Sequence, residues 1–452
     1  MRRAGAGLVA CVDVGSTFTK GTLVDRSTGE LVATASVPTT AGTDVLDGVE
    51  AVRERLGPHP DVLACSSAGG GLRLAVVGYE RAVTAEAGHR VGLSAGSRVV
   101  HVSAGPLDGA GVAALRAARP DVVLLVGGTD GGNAEVLLHN ARRLARARLR
   151  APVVVAGNVS VRDEVVEALQ AGGRTAIATA NVLPRIGVLD PRPAREAIRE
   201  VFIRHVIGGK GLTRRPAEFA AMVRAATPDA VLGGVEVLAD GTEGAPGVGD
   251  VLVVDVGGAT TDVYSVLTPT GEDVEIHREV VEVLWRSRTV EGDLGVRWSA
   301  PGVVAAGVAE RLVAPEEVED LAASAGRRAA DPSYVASSPV EAAIDARLAS
   351  IAALVAVRRH ARPRLEGDVR SPGRDLREVS LVVGSGGVLR HADPSVAVDV
   401  LWPLLSDHAG GWPVPERAPV AVDRSYVLAA AGLLAGEAPE AAARLVATLR
   451  PA

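Results

Sequence analysis

One short pattern occurs twice in this chain, far apart, and that repeat limits the possible folds more than any other feature. Near the N-terminus, LVACVDVGSTFTKGTLVD places Asp13, Gly15, Ser16, Thr17, Thr19 and Lys20 between two apolar runs. In the second half, VLVVDVGGATTDVYSV does the same with Asp255, Gly257, Gly258, Thr260, Thr261 and Asp262. Aligning Asp13 with Asp255 also matches Val14 with Val256, Gly15 with Gly257 and Thr19 with Thr261. Each copy reads as strand, glycine turn, strand. Two such units predict two related lobes whose turns face one another across a cleft.

The residue types suit an anion. Backbone N–H groups of a glycine turn can converge on phosphate oxygens, threonine hydroxyls add donors, and a carboxylate at a strand end can hold a water of hydrated Mg²⁺. A glycine-rich hairpin with no ligand is the competing reading of either copy taken alone. Of the 48 Lys+Arg residues only Lys20 and Lys210 are lysine. Lys20 stands inside the first loop, where a compact ammonium approaches phosphate as a point charge.

At 452 residues the chain has room for two or three domains with real cores. It is 47% hydrophobic but only 2% aromatic, so Val, Leu, Ile and Ala must fill those cores. A net charge of -6 and the lack of any basic tract interleaved with aromatics argue against a nucleic-acid partner. Cys11 and Cys65 have no metal-ligand spacing, which argues against zinc or iron–sulfur chemistry within the chain. The apolar run after Met1-Arg2-Arg3 is too short for a signal peptide, and no run approaches a membrane span, so a cytoplasmic protein is expected.

Between the copies, β and α signals alternate. Val62 to Ala64 opens a strand, Gly69 to Gly71 form a turn, and a helix is expected from Glu80 to Leu93. PDVVLLVGGTDGGN, APVVVAGN and RTAIATANVLPRIGVLD then read as parallel strands with crossover helices. The GGTDGGN turn lacks the dinucleotide spacing; Thr129, Asp130 and Asn133 are candidates for a binding loop or simply parts of a tight turn. ADGTEGAPGVGD, from Ala239 to Asp250, is the expected domain boundary or surface loop.

The second half adds a strand near Val274 to Ile276, the charged turn of SRTVEGDLGVRWS with Glu291, Asp293 and Arg297, helices at Pro315 to Ala325 and Val340 to His360, and a loop from Arg362 to Glu378. The charged turn reads as a solvated turn or as a second contact to nucleotide. VSLVVGSGGVLRH then runs a strand into Gly384, Gly386 and Gly387, small enough for a flat purine to approach the backbone. SYVLAAAGLLAG places small residues from Ala429 to Gly432 on one helix, which suits close packing on another backbone, as hinge or as core.

The order DVGST, DVGGATTD, GSGG and a small-residue helix resembles the actin, Hsp70 and sugar-kinase superfamily. More closely, DVGSTFTKGTLVD, SSAGGGLRLAVVG, LLVGGTDGGN, DVGGATTDVYS, RTVEGDLGVRWS and YVLAAAGLLAG resemble the glutamate mutase accessory protein family, of the MutL type unrelated to mismatch repair.

The resemblance implies an α/β fold of two actin-like (ribonuclease H-like) ATPase lobes around a nucleotide cleft. The first lobe would span residues 1–245 with an α/β insertion at about 85–205, and the second residues 246–452. It implies an ATP-dependent, chaperone-like reactivating factor, a weak Mg²⁺-dependent ATPase that promotes release of damaged cobalamin from an adenosylcobalamin-dependent mutase. Carried over by motif, Asp13, Gly15, Ser16, Thr17 and Lys20 would form the first phosphate loop. Gly257, Gly258, Thr260, Thr261 and Asp262 would form the second, with Gly384, Gly386 and Gly387 at adenosine. Asp13 and Asp255 would be catalytic and hold Mg²⁺ largely through water. Ala259 replaces a glycine common in related loops, which bears on how closely that backbone meets the γ-phosphate.

A small-molecule kinase of the same superfamily is the alternative, and would need a base such as Asp130, Asp293 or Asp262 beside an acceptor hydroxyl. A filament-forming actin-like ATPase is another. A radical-dehydratase activator would need cluster-binding cysteines, and the pattern of Cys11 and Cys65 argues against it.

Overall fold

The computed structural model describes residues 7–57, 61–67, 72–79, 88, 97–203, 211–268, 286–366, 369–371 and 373–450. The expected turn at Gly69 to Gly71, the strand near Val274 and all but Gly88 of the expected helix from Glu80 lie outside them.

The first repeat unit forms the centre of a five-stranded sheet. β1 (Leu8–Val14) pairs antiparallel with β2 (Phe18–Asp25), which pairs antiparallel with β3 (Leu31–Pro38). Helix α1 (Val45–Leu56) begins where the Asp44 carboxylate accepts from the Leu46 N–H, and ends at Gly57, whose φ of 89° suits only glycine. It lies on the sheet at Gly21, where a Cβ would come 2.9 Å from the Leu56 side chain. β4 (Asp61–Ser66) returns parallel to β1.

The chain then leaves to build a second sheet, entirely parallel, from β5 (Arg73–Gly78), β6 (Arg98–Ala104), β7 (Val122–Leu125), β8 (Val153–Val155) and β9 (Ala176–Ala178) in the order β6-β5-β7-β8-β9. Helices such as Glu135–Arg146 and Arg162–Ala171 supply its crossovers. The near-continuous burial of its three central strands, β5, β7 and β8, is what a parallel sheet covered on both faces demands, while the edge strands β6 and β9 are only partly buried. β10 (Val223–Ala226) rejoins the first sheet beside β4 and leads into helix α2 (Thr227–Asp240). The glycine-rich stretch after it folds into a two-residue ladder of β11 (Gly241–Thr242) and β12 (Ala245–Pro246).

The second repeat unit repeats this plan. β13 (Val251–Val256), β14 (Thr261–Val266) and β15 (Arg286–Glu291) form an antiparallel meander. Helix α3 (Pro339–Ala361) follows, close to the span its apolar pattern predicts, with Ser338 as its cap. The stretch Arg362 to Glu378, expected as plain loop, holds a hairpin of β16 (Arg364–Glu366) and β17 (Val369–Ser371); three-residue strands are too short for alternation to reveal. β18 (Leu381–Ser385) pairs parallel with β13, α4 (Gly387–His391) follows it, and β19 (Val420–Val422) pairs parallel with β18. Helix α5 (Val427–Leu434) then leaves β19 as α2 leaves β10.

Matched strand for strand, β3-β2-β1-β4-β10 and β15-β14-β13-β18-β19 are one order used twice. The fold is therefore the expected α/β arrangement of two ribonuclease H-like units with an added parallel sheet. Side chains of each central strand divide by parity. Ala10, Val12 and Val14 join one core with α1 and the parallel sheet, while Leu252, Val254 and Val256 join another with α3. Val9 and Cys11 point the other way, as do Val251 and Val253, into a shared core with α2 and α5.

That shared core is tightest where α2 crosses α5. A Cβ on Gly432 would overlap the Ala230 carbonyl, and one on Gly234 would overlap the Leu428 carbonyl. The small residues of the YVLAAAGLLAG stretch are thus explained by backbone contact between the two units. Among the described residues, no helix is long and apolar enough to cross a membrane.

Candidate functional site

The alternation that sends Val9 and Cys11 into the shared core sends Asp13 to the same face one step further on. Val251, Val253 and Asp255 obey the same rule. Each aspartate is the last but one residue of its strand, on the face confronting the other unit, so the two carboxylates converge. Asp13 and Lys20 are direct cross-strand partners, and so are Asp255 and Asp262. Lys20 and Asp262 therefore occupy equivalent positions in the two units, with opposite charge.

The turns match in detail. The Gly15 N–H donates to the Phe18 carbonyl at 3.1 Å, and the Gly257 N–H donates to the Thr260 carbonyl at 2.9 Å. Ser16 is exposed, and Thr17, Gly257, Gly258 and Thr260 are half-buried. The turns face each other closely: a Cβ on Gly258 would lie 3.6 Å from the Thr17 hydroxyl. Thr19 and Thr261 fall on the opposite parity, away from this gap. The Thr261 hydroxyl donates to the Leu294 carbonyl at 2.7 Å, and Thr19 lies within hydrogen-bonding distance of Thr39 at 3.1 Å.

Charge is concentrated between the turns. The Lys20 ammonium lies 3.8 Å from Asp13 and 4.1 Å from the centre of the Tyr426 ring. Burial alone would lower the Lys20 pKa, but Tyr426, Asp13 and Asp255 outweigh it and hold the ammonium above its ordinary value. Burial raises Asp255; Lys20 opposes that shift, Asp13 adds to it, and the Ser385 hydroxyl at the end of β18 opposes it. Burial likewise raises Asp262 against the pull of Arg288, 3.3 Å away. Its Oδ1 is buried without a hydrogen-bond partner among the described residues.

Thr227, the first residue of α2, donates its hydroxyl to Asp13 at 2.6 Å, and the Cys65 thiol lies 3.6 Å from the same oxygen. Asp423, after β19, accepts from the Val427 and Leu428 N–H groups at 2.9 and 3.1 Å and so caps α5.

The glycines of GSGG separate into two uses. Gly384 faces inward, where a Cβ would sit 2.8 Å from the Leu389 side chain. Gly386, at φ 106°, backs onto the Val256 carbonyl at the end of β13, and Gly387 is exposed with open space around it. This loop therefore abuts the second turn. The RTVEGDLGVRWS stretch buttresses that turn from the other side. Val296 N–H donates to the Gly257 carbonyl at 3.0 Å, and the Arg297 and Trp298 N–H groups donate to the Gly258 carbonyl at 2.8 and 2.9 Å. The Ala259 carbonyl accepts from the Ser299 hydroxyl at 3.1 Å. The Arg297 guanidinium is fixed by two bonds to Asp345 of α3, at 3.1 and 2.8 Å.

The Gly127 to Asn133 turn lies apart, at the C-terminal edge of the parallel sheet. Asn158 and Asn181 stitch it through the Gly132 and Gly128 carbonyls, and Asp130 accepts from Asn181 at 2.8 Å. Asn133 accepts from the Glu135 N–H, and Thr129 is half-buried.

Sequence reasoning missed Thr227, Arg288, Ser385, Asp423 and Tyr426. Ser385 sits inside the GSGG motif, where attention went to the glycines; the other four lie outside the two glycine turns, and only the fold brings them there. The repeat's parity could have picked out Arg288, whose strand is the third of its meander.

A gap that one Cβ would fill, paired carboxylates with an ammonium between them, and a buried carboxylate oxygen without a partner together fit a polyphosphate with a hydrated divalent cation. No group of three or more metal-ligating side chains occurs among the described residues.

The sequence profile of the family described as MutL protein matches residues 9–449. A curated relative, Protein MutL of Clostridium tetanomorphum, is 36% identical over 458 residues, covering 96% of this chain and 97% of the relative. Among solved structures, nucleotide-free acetone carboxylase aligns with 95% of this chain and 70% of its own, at 15% identity and a TM-score of 0.40. A carbohydrate kinase from Novosphingobium aromaticivorans covers 99% of this chain and 92% of its own, at 16% identity and a TM-score of 0.32. The activator of 2-hydroxyisocaproyl-CoA dehydratase from Clostridium difficile, with bound ADPNP, covers 98% of this chain and 99% of its own, at 11% identity and 0.31. At such scores these likenesses add no weight to the strand order, on which the fold assignment rests.

Proposed function

The chain belongs to the MutL protein family, and from that premise we propose that it is an ATP-dependent, chaperone-like reactivating factor for an adenosylcobalamin-dependent mutase of the glutamate mutase type. The observation that carries the ATP-dependent part is the convergence of Asp13, Lys20 and Asp255 between two equivalent glycine turns. We assign the first lobe to residues 1–245 and the second to residues 246–452; the insertion, expected at about 85–205, begins earlier, because β5 (Arg73–Gly78) already belongs to its sheet.

In this reading Asp13 and Asp255 orient waters of a bound magnesium ion, and Thr227 holds Asp13 in place for that task. Such an ion, held through those waters, would supply charge neutralisation to the phosphates. Gly15, Ser16 and Thr17 meet the phosphates from one lobe, and Gly257, Gly258 and Thr260 meet them from the other. Lys20 offsets the negative charge that accumulates between them. Asp262 is placed to accept a proton or orient water, with burial raising its pKa against the pull of Arg288. Gly387, exposed with open space around it, leaves the backbone bare for adenosine, and Gly386 fixes the turn that presents it.

Occupancy of both turns favours a closed arrangement of the lobes, and loss of phosphate contacts releases it, with the crossing of α2 and α5 as the pivot. Coupling to the mutase works through a difference in affinity for its open and closed states, and cannot exceed that difference. The insertion is the candidate partner-binding part.

The test is capture on the immobilised protein from a native extract of the source organism, with and without ATP·Mg²⁺, using the parent and Asp13→Ala. A cobalamin-dependent mutase whose retention and cobalamin release respond to nucleotide, and only with the parent, is the expected result. No mutase in either condition, together with phosphoryl transfer from ATP to a metabolite, would replace this reading with a small-molecule kinase.

A further inference from the structure

Tyr426 stands immediately before α5, and the helix crossing that explains the small residues after it does not explain the ring. Its backbone is left-handed, φ 54° and ψ 38°, a conformation costly for a bulky side chain. Such strain persists where the surroundings enforce it. Arg119, Arg148 and Arg311 are the other non-glycine residues with positive φ among those described, and none is among the residues at the turns.

The ring has two cations over it. Lys20, from β2 of the first unit, lies 4.1 Å from its centre, and the guanidinium of Arg390, from α4 of the second, lies 4.2 Å away. The segment is also tied across the units, since the Thr22 hydroxyl of β2 donates to the Ser425 carbonyl at 3.2 Å. Asp13 cannot fix the ammonium by itself. Its oxygen is 3.8 Å from Nζ, beyond a hydrogen bond, whereas a cation over an aromatic face is attracted strongly at such a range. Lysine has a long flexible stem and three equivalent donors, so its direction must be imposed from outside.

We propose that Tyr426 is a positioning residue of the nucleotide site, its ring setting the Lys20 ammonium toward the phosphates of a bound nucleoside triphosphate. The proposal rests on the nucleotide-binding reading given above. It also accounts for the strain, because the left-handed turn brings an aromatic face to the one lysine among the described residues.

The experiment is a double-mutant cycle read as the ATP·Mg²⁺ dissociation constant by titration calorimetry. Tyr426→Asn removes the ring but tolerates the left-handed backbone, Tyr426→Phe keeps the ring, and Lys20→Met removes the charge. In the parent background Tyr426→Asn is expected to weaken ATP binding roughly ten-fold, with Tyr426→Phe within about two-fold of the parent. In the Lys20→Met background Tyr426→Asn is expected to change nothing further. If the parent binds no ATP·Mg²⁺, the nucleotide reading itself fails and this proposal with it; if the parent binds and Lys20→Met leaves the affinity unaltered, the nucleotide reading stands and the positioning role is overturned. If Lys20→Met weakens ATP while Tyr426→Asn has no effect, or the same effect in both backgrounds, the nucleotide reading stands and the positioning role is overturned.

Discussion

Replacing Gly432 by alanine adds one methyl group where the helices of the two units touch. That carbon would overlap the Ala230 carbonyl oxygen and come 2.9 Å from the Gly234 nitrogen. Both are backbone atoms of α2, so no side chain can rotate aside. Overpacking of this kind costs about 1–3 kcal/mol. Alanine is better than glycine inside a helix by about 0.5–1 kcal/mol, which offsets part of the loss. The net expectation is a destabilisation of about 1–2 kcal/mol, or a fall in Tm of roughly 3–8 °C for a unit of this size.

Gly326, inside the helix Val318–Ala330, is the matched control, because a Cβ there meets nothing within 4 Å. Gly326→Ala should raise Tm by a few degrees through helix propensity alone. Calorimetric melting of the three proteins decides the matter. If Gly432→Ala melts at or above the parent while Gly326→Ala shows its rise, the direct backbone contact between α2 and α5 is wrong.

Two further outcomes follow from buried charge. Asp345 accepts from Arg297 and from Arg328, whose side chain is 0% exposed, so Asp345→Ala leaves the Arg297 guanidinium without its carboxylate and the buried Arg328 with the Glu341 carboxylate alone. A loss of about 3–5 kcal/mol in urea unfolding is expected, and an unchanged midpoint would show that the cluster contributes nothing. Asp255→Asn should abolish ATP turnover yet stabilise the fold at pH 7. Burial raises the folded-state pKa of Asp255, so the fold favours the protonated form. The penalty is absent below the ordinary value of 3.8 and grows as pH rises through the folded-state value. The Tm advantage of Asp255→Asn should therefore shrink toward pH 4, and a lower Tm than the parent at pH 7 would refute the dominance of burial.

The repeat made the two-unit fold legible because a strand, a glycine turn and a strand specify an antiparallel pair locally, whatever surrounds them. Once Asp13 and Asp255 are placed on β1 and β13, side-chain parity alone predicts that they face each other. The helix of small residues was legible for a related reason, since it has no steric use except close approach. Long-range partners were not legible. Thr227 reaches Asp13 only because β10 completes the first sheet after a whole inserted domain, and no local spacing links the two. The GDLGVRW stretch was visible as a motif, but its purpose lies in backbone N–H groups that any residues could supply. Its charged side chains drew attention toward nucleotide, whereas Arg297 turns to Asp345 and Asp293 pairs with Arg359.

The reversal of sign between Lys20 and Asp262 has a consequence of its own. Two units built on one strand order would, with identical chemistry, offer an elongated guest the same contacts at either turn. Here one wall ends in an ammonium and the equivalent point of the other wall ends in a carboxylate. A guest with an anionic tail and a neutral head is therefore oriented by a single substitution within the repeat, and the scaffold's symmetry survives in the backbone after it has been lost from the electric field.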